Sequence, residues 1–230
     1  RWNNFDEKWI RPIKSILCIF HNKKIVFKYG GVTSSNFSFG NYHYGEKKII
    51  IKNTKTYEKD LEKNRVILSR VKRENMISKK LQSFCKLNGS ELIENKDLFE
   101  RVVDSVEYPN VLFGTFSKKY FDLPEFLLKS VMLEKQDYFC FLKNKSLLNF
   151  FAFISSKDIA KKKNIIKGNE NVLKARFSDA KFFIREDRKK KLEERIIDLK
   201  EIIFFRDAGN LYQRAERIKK TILFISNKIN

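Results

Sequence analysis

Imidazoles and thiols are the scarcest reactive groups in this chain of 230 residues: two histidines, His21 and His43, and three cysteines, Cys18, Cys85 and Cys140. The cysteines are far apart, odd in number and never spaced C-x-x-C. No zinc or other metal site is therefore expected, and reduced thiols are the default. Two histidines do not easily supply a general acid and base. Glycine is thin as well, with eight residues. A phosphate-cradling G-x-x-x-x-G-K-S/T loop is missing, Gly30-Gly31 lacks a third glycine at dinucleotide-binding spacing, and no G-x-S-x-G nucleophile turn occurs. Apolar runs stay short of the roughly 18–20 residues of a membrane span. The opening "RWNNFDEKWIRP" is charged and aromatic, unlike a signal peptide, and lacks a starting Met, so the chain is expected to be a piece of something longer. Glu186-Asp187 and Glu193-Glu194 are adjacent carboxylates, which on a helix point to different sides. They are expected to face water and pair with Arg188 and Arg195. No catalytic residue is expected in this chain.

Positive charge is what the chain has in excess. Lys and Arg total 49 against 28 Asp and Glu, a formal net charge of +21, with a sequence pI of about 9.8. Such an excess favours a polyanionic partner, RNA or DNA, or an anionic membrane surface. Lys, Asn, Ile and Phe are all over-used and all have A/T-rich codons, so genome composition is an equal explanation for the lysines. The hydrophobic content of 42% suits a globular protein with one large or two small domains.

Along the chain, Ile13–Phe20 and Lys23–Tyr29 read as two strands across a His21-Asn22 turn. A Gly/Ser/Asn-rich loop with aromatics follows over 30–45, then a short strand in "KKIIIK". Tyr57–Leu87 is helical with a break near Asn64; Ile67, Val71, Ser78, Leu81 and Cys85 give it a shallow buried face, and Asn88-Gly89 stops it. Asp97–Val106 is a second helix, halted by Pro109. Val111–Phe116 reads as a buried strand, Pro124 opens a third helix, and Tyr138–Leu142 with Leu147–Ile154 form a hairpin across "KNKS". No strand pattern remains from Asp158 onward, where basic runs occupy Lys161–Lys163 and Arg188–Lys191. The expected fold class is α+β: a mixed α/β part over 1–157, then an all-helical part over 158–230, with a soft boundary at Ser155–Lys163.

Within "GNENVLKARFSDAKFFIREDRKK" (Gly168–Lys190), Leu173, Phe177, Ala180 and Ile184 form one apolar helical stripe. Val172, Arg176, Asp179 and Phe183 form a second beside it. Arg176 and Asp179 are then helical neighbours flanked by apolar residues. They are expected either to be a structural ion pair joining the α/β and helical parts, or an Arg offered to phosphate and oriented by Asp179.

Several segments then carry a resemblance. "VEYPNVLFGTF" (Val106–Phe116), "LPEFLLKSVMLEKQDYF" (Leu123–Phe139), "GNENVLKARFSDAKFF" (Gly168–Phe183), "DRKKKLEERIIDLKEIIFF" (Asp187–Phe205) and "GNLYQRAERI" (Gly209–Ile218) come in the order and spacing of the β subunit of bacterial glycyl-tRNA synthetase. The chain resembles that family over essentially its whole length. Gly168, Asn169, Glu170, Val172, Leu173, Ala175, Arg176, Asp179, Ala180, Phe182 and Phe183 all fit the family's pattern, and Arg1-Trp2 with Ile10–Ile16 looks like its R-W and R-P segment. Two places depart from it: Gly40-Asn41-Tyr42-His43 stands where the family has G-H-R-F, and Gln136-Asp137-Tyr138-Phe139-Cys140 where it has Q-K-Y-F-P.

The resemblance implies a cytoplasmic α₂β₂ enzyme that joins glycine to tRNA-Gly, with ATP and Mg²⁺ used at the α subunit and none bound by this fragment. It implies that the β subunit supplies tRNA-binding surface and is needed for charging. The chain would end as a helical domain related to His-Asp hydrolases begins, around Leu211–Asn230, ahead of an anticodon-binding domain. Its partners would be the α subunit and tRNA-Gly, with no membrane. Lys189, Lys190, Lys191 and Arg195 are the expected tRNA contacts, as point charges toward phosphates. Two other readings stay open: an assembly scaffold with little RNA contact, and a general nucleic-acid-binding module outside translation. Lys and Arg clustered on one face would favour RNA contact; even dispersion would favour the scaffold.

Overall fold

The computed structural model describes residues 8, 11–45, 47–157 and 159–229. Arg1-Trp2 of the resemblance, and Asp158 at the expected start of the helical part, lie outside the described residues. The chain is α+β and divides into two compact units, 1–177 and 178–230. The division falls later than the expected 157/158.

The first unit opens with short strands: β1 (Ile16–Leu17), β2 (Ile19–Phe20), β3 (Lys23–Lys24), β4 (Lys28–Tyr29), β5 (Val32–Ser35), β6 (Phe37–Phe39) and β7 (Lys48–Ile50). The β2–β3 hairpin turns at His21 and Asn22, both at positive φ (46° and 61°), as a two-residue turn that matches strand twist requires. The stretch 30–45, expected to be a loop, holds β5 and β6 instead. Hydroxyl groups secure it: the Ser34 Oγ accepts the Phe27 N–H at 2.8 Å and donates to the Ile25 carbonyl at 2.7 Å. β5 pairs in parallel with β1 and antiparallel with β4. Ile49, Ile51 and Leu61 make the small core beneath, with Leu17, Ile19, Tyr57 and Val66 packed on it.

Helix α1 (Tyr57–Lys63) ends at Asn64, and α2 (Arg70–Asn88) begins at Ser69, whose side chain accepts the Lys72 N–H. Gly89, at φ 56°, closes α2 in the left-handed conformation. The buried face of α2 is Ile77 and Leu81, while Val71 is exposed. After β8 (Glu91–Leu92), α3 (Lys96–Ser105) is capped by the Asn95 side chain on the Leu98 N–H. Strand β9 (Asn110–Thr115), helix α4 (Glu125–Ser130, behind Pro124), and the hairpin of β10 (Phe139–Lys143) and β11 (Ser146–Ser155) follow. Asn144 and Lys145, at φ 50° and 65°, make the hairpin turn.

These strands form one antiparallel sheet in the order β8-β10-β11-β9. Alternation sets its two faces. Phe139, Phe141 and Ala152 pack with Ile77 and Leu81 of α2 and Leu98, Val102 and Val103 of α3. Cys140, Phe151 and Phe153 point the other way and are also buried. Helix α5 (Lys162–Asp187) docks beside that second face from Asn169 to Phe177: Glu170 bonds to Thr115, Asn169 to Tyr138, and Leu173 and Phe177 are its buried residues. This explains the later division: Leu173 and Phe177 are fully buried, and the Phe177 ring lies 5.2 Å from Phe116 and 5.3 Å from Tyr120. Residues 162–177 therefore belong to the first unit, with Leu173 and Phe177 in its core.

The second unit contains the end of α5, a 3₁₀ segment over Glu193–Glu201, the strands β12 (Ile203–Phe205) and β13 (Gly209–Asn210), and α6 (Leu211–Ile229). The β12–β13 hairpin corrects the expectation of an all-helical region. The segment "GNLYQ" is its helix-start device. Gly209 turns at φ 77°, the Asn210 side chain accepts the Gln213 N–H at 2.9 Å, and the Gln213 side chain accepts the Asn210 N–H at 3.1 Å. That reciprocal pair satisfies two backbone donors at the start of α6.

Candidate nucleic-acid interface

The expected RNA contacts all lie in the second unit. Lys189 Nζ is 2.7 Å from Glu186 Oε2, and Lys190 Nζ is 3.7 Å from Asp198 Oδ2. Arg195 donates to the main-chain carbonyls of Glu186 (3.0 Å) and Asp187 (3.3 Å) at the end of α5. A guanidinium there satisfies carbonyls that a helix end leaves open and complements the negative end of the helix dipole. Arg195 therefore has a structural duty of its own. Lys191 is exposed, and no bond of its ammonium is recorded among the described residues. Glu186 and Asp187 pair within this group as expected, but the Arg188 expected to share them forms no ion pair among the described residues.

Arg176 and Asp179 are both exposed on α5, and neither makes an ion pair among the described residues. The second stripe faces solvent because its apolar members, Val172 (42% exposed) and Phe183 (62%), are not covered, whereas the first stripe carries the buried Leu173 and Phe177. The pair expected in an apolar environment is therefore not made among the described residues.

The segment Gly168-Asn169-Glu170 docks α5 on the sheet. Glu170 Oε1 accepts the Thr115 N–H at 2.8 Å and the Thr115 hydroxyl at 3.2 Å. The Tyr138 hydroxyl donates to Asn169 Oδ1 at 2.6 Å. Asn169 in turn donates to the Ile165 carbonyl at 2.8 Å. Tyr120 donates to the Lys174 carbonyl at 3.2 Å. Gly114 allows the approach: a Cβ there would sit 2.6 Å from Phe151 Cζ and 3.3 Å from Glu170 Cγ. Burial pushes the Tyr138 phenol up to about 12, and the neighbouring Cys140 thiol also up to about 12 against a small opposing effect of Lys129.

Beside this joint lies a cavity of about 560 Å³ whose lining includes His43, Lys157, Lys161, Asn164 and Asn169. A second cavity, of about 440 Å³, is lined by Lys59, Glu62, Lys63, Arg65 and Tyr108. Tyr44 lies between the two sets. Its hydroxyl donates to the Lys157 carbonyl at 3.4 Å and accepts from Asn110 Nδ2 at 3.3 Å, and its ring meets Tyr108 edge-on at 6.4 Å. The Arg65 guanidinium lies 5.5 Å from the Tyr44 ring and 4.9 Å from the Tyr108 ring, and donates to the Tyr108 hydroxyl at 2.7 Å. The turn presenting Tyr42, His43 and Tyr44 is set by Asn41, which is buried and accepts the His43 N–H at 2.9 Å. Among the described residues, the ammonium groups of Lys59, Lys63, Lys157 and Lys161 have no carboxylate partner. The carboxylate lining the second cavity, Glu62, is held by Lys72 at 2.7 Å through both oxygens. Sequence reading did not find this group, because its members come from four separated segments; the aromatic "NYHYG" ahead of Lys47 and Lys48 was the one local signal.

Comparison with known proteins agrees with the motifs just placed. The family model described as glycyl-tRNA synthetase beta subunit matches residues 1–230. A glycine–tRNA ligase beta subunit of Rickettsia felis is 36% identical over 222 residues, covering 95% of this chain and 33% of the relative. That of Rickettsia peacockii is 37% identical over 228 residues, 98% of this chain and 34% of the relative. That of Rickettsia prowazekii is 35% identical over 226 residues, with the same coverage of 98% and 34%. The chain belongs to the glycyl-tRNA synthetase beta subunit family. It spans about one third of the length of these curated relatives.

Proposed function

We propose that this chain is the part of a glycine–tRNA ligase beta subunit that supports attachment of glycine to tRNA-Gly by binding tRNA and assembling with the alpha subunit. The observation that carries the reading is the family match over the whole chain. Lysines that have no carboxylate partner among the described residues gather around two tyrosines, which agrees with RNA contact, since clustering and not mere excess of charge marks a nucleic-acid face. Lys189, Lys190 and Lys191 add phosphate contacts, Lys191 most freely. Activation of glycine with ATP and Mg²⁺ takes place on the alpha subunit of a cytoplasmic α₂β₂ enzyme. No described helix is long and apolar enough to cross a membrane.

One feature favours the second reading, a scaffold for assembly. Ile218, Ile222, Ile225 and Ile229 form a single stripe on α6 and are 47–79% exposed. Uncovered stripes of this kind mark protein interaction surfaces. The test is affinity capture on the immobilised chain, with purified alpha subunit and tRNA-Gly offered separately. Retention of both is expected. Retention of the alpha subunit alone selects the scaffold, and retention of neither overturns both readings.

A further inference from the structure

We infer that the first unit carries a binding site for single-stranded RNA. Lys157 and Lys161 on one side, and Lys59 and Lys63 on the other, take the phosphates of unpaired nucleotides, and a base stacks against Tyr44 and Tyr108 between them. The inference rests on the reading that the chain binds tRNA, and it states where and in what form the RNA is held.

The cations come first. Among the described residues, the two cavities are lined by five residues of fixed positive charge, Lys157, Lys161, Lys59, Lys63 and Arg65, against one carboxylate, Glu62. Both oxygens of Glu62 are already engaged by Lys72. Concave cationic walls focus the field and attract a phosphate before contact. The basic helix end in the second unit offers less, because Lys189 and Lys190 are paired with acids and Arg195 caps a helix.

The aromatic groups separate strand from duplex. Lysines alone would bind any phosphate backbone. Here the half-buried rings of Tyr44 and Tyr108 are locked edge-to-face and fastened by Arg65, so they present preformed apolar surface at small entropic cost. Stacking on such rings needs a base out of its helix, which an unpaired nucleotide supplies and a duplex does not. The cavities, at about 560 and 440 Å³, are of the size of single nucleotides. Asn164 places an amide in the first cavity, able to donate to and accept from a base edge.

The experiment uses the 230-residue chain and fluorescence anisotropy with two labelled probes: an A/C-only RNA of about 12 nucleotides, within the span one such strip covers, and a duplex of equal length. The single strand is expected to bind more tightly than the duplex. Lys157→Glu with Lys161→Glu should weaken it by about tenfold or more and lower the log–log salt slope by about 1.4, at roughly 0.7 for each lost contact. Tyr44→Leu should weaken it about fivefold or more with the slope unchanged, while Tyr44→Phe, which keeps the ring, should bind as the unaltered chain does. Far-UV circular dichroism confirms that each variant is folded. Reversal of Lys79 and Lys80 to Glu, which are exposed on α2 and line neither cavity, should leave this probe bound within about twofold. Equal binding of strand and duplex, or folded strip variants that bind normally, overturns the inference alone, provided the unaltered chain still binds tRNA-Gly. Failure of the unaltered chain to bind either probe or tRNA-Gly overturns the tRNA reading with it.

Discussion

A single methyl group at position 114 tests whether Gly168–Glu170 docks α5 on the sheet. Built on Gly114, a Cβ lies 2.6 Å from Phe151 Cζ, 2.9 Å from its Cε1 and 3.3 Å from Glu170 Cγ. Carbon atoms are at ease at roughly 3.5–4.0 Å. Phe151 has little room to retreat, being fully buried and stacked on Tyr138 at 4.7 Å. Either β9 and β11 must part or α5 must lift. Overpacking of this kind costs about 1–3 kcal/mol. Lifting α5 also strains the Glu170 carboxylate on the Thr115 N–H, a charged hydrogen bond worth about 1.5–3 kcal/mol. Replacing a strand glycine returns about 0.5–1 kcal/mol. Gly114→Ala should therefore destabilise the chain by about 2–4 kcal/mol in urea melts followed by circular dichroism. Phe151→Leu opens space at the same spot, so the double variant should lose at least about 1 kcal/mol less than the sum of the single losses. A Gly114→Ala loss below about 0.5 kcal/mol, or strict additivity with Phe151→Leu, would refute the joint.

Three further outcomes are expected. The Cys140 thiol ionises near 9.0 when exposed and at about 12 when folded, because burial disfavours the thiolate. The unfolded chain then releases its proton first, and stability falls as pH rises through the interval from 9.0 toward about 12. Cys140→Ala should flatten that alkaline limb in urea melts at successive pH values, and an unchanged limb would count against a buried thiol. Arg176→Ala and Asp179→Ala should each change the stability of this chain by no more than about 0.5 kcal/mol, as exposed unpaired residues do; losses of several kcal/mol would show a pair formed after all. Arg195→Gln should cost about 0.5–2 kcal/mol through the end of α5, while Lys191→Gln should cost nothing measurable in the same thermal melts.

Local signals in the sequence were legible wherever a single residue type decides the backbone. His21-Asn22, Asn144-Lys145, Gly89 and Pro124 stand at the turns and helix ends expected of them. The strands over 32–39 were hidden because Ser34 and Ser35 complete their hydrogen bonds with hydroxyls, so composition reads as loop. The hairpin at 203–210 was hidden because β12 is exposed and does not alternate. The break after Phe177 depended on which of two adjacent stripes on α5 is covered, and that is decided by Phe116 and Tyr120, far away in sequence. The family signature was visible, but its work was not. Asn169 and Glu170 could be seen to match, yet only the fold brings them to Tyr138 and Thr115. The lysine and tyrosine strip is non-local throughout, whereas Lys189–Lys191 attracted notice because it is a run; it lies in the turn after α5, where Lys189 and Lys190 meet acids.

Ultraviolet crosslinking of tRNA-Gly to the 230-residue chain, followed by peptide mapping, asks most directly whether this part of the beta subunit holds tRNA and by which face. Crosslinked peptides should contain Tyr44, Tyr108 or His43, and should disappear as salt is raised. Crosslinks confined to residues 189–195, or none at all at low salt, would contradict the strip as the place where RNA is held.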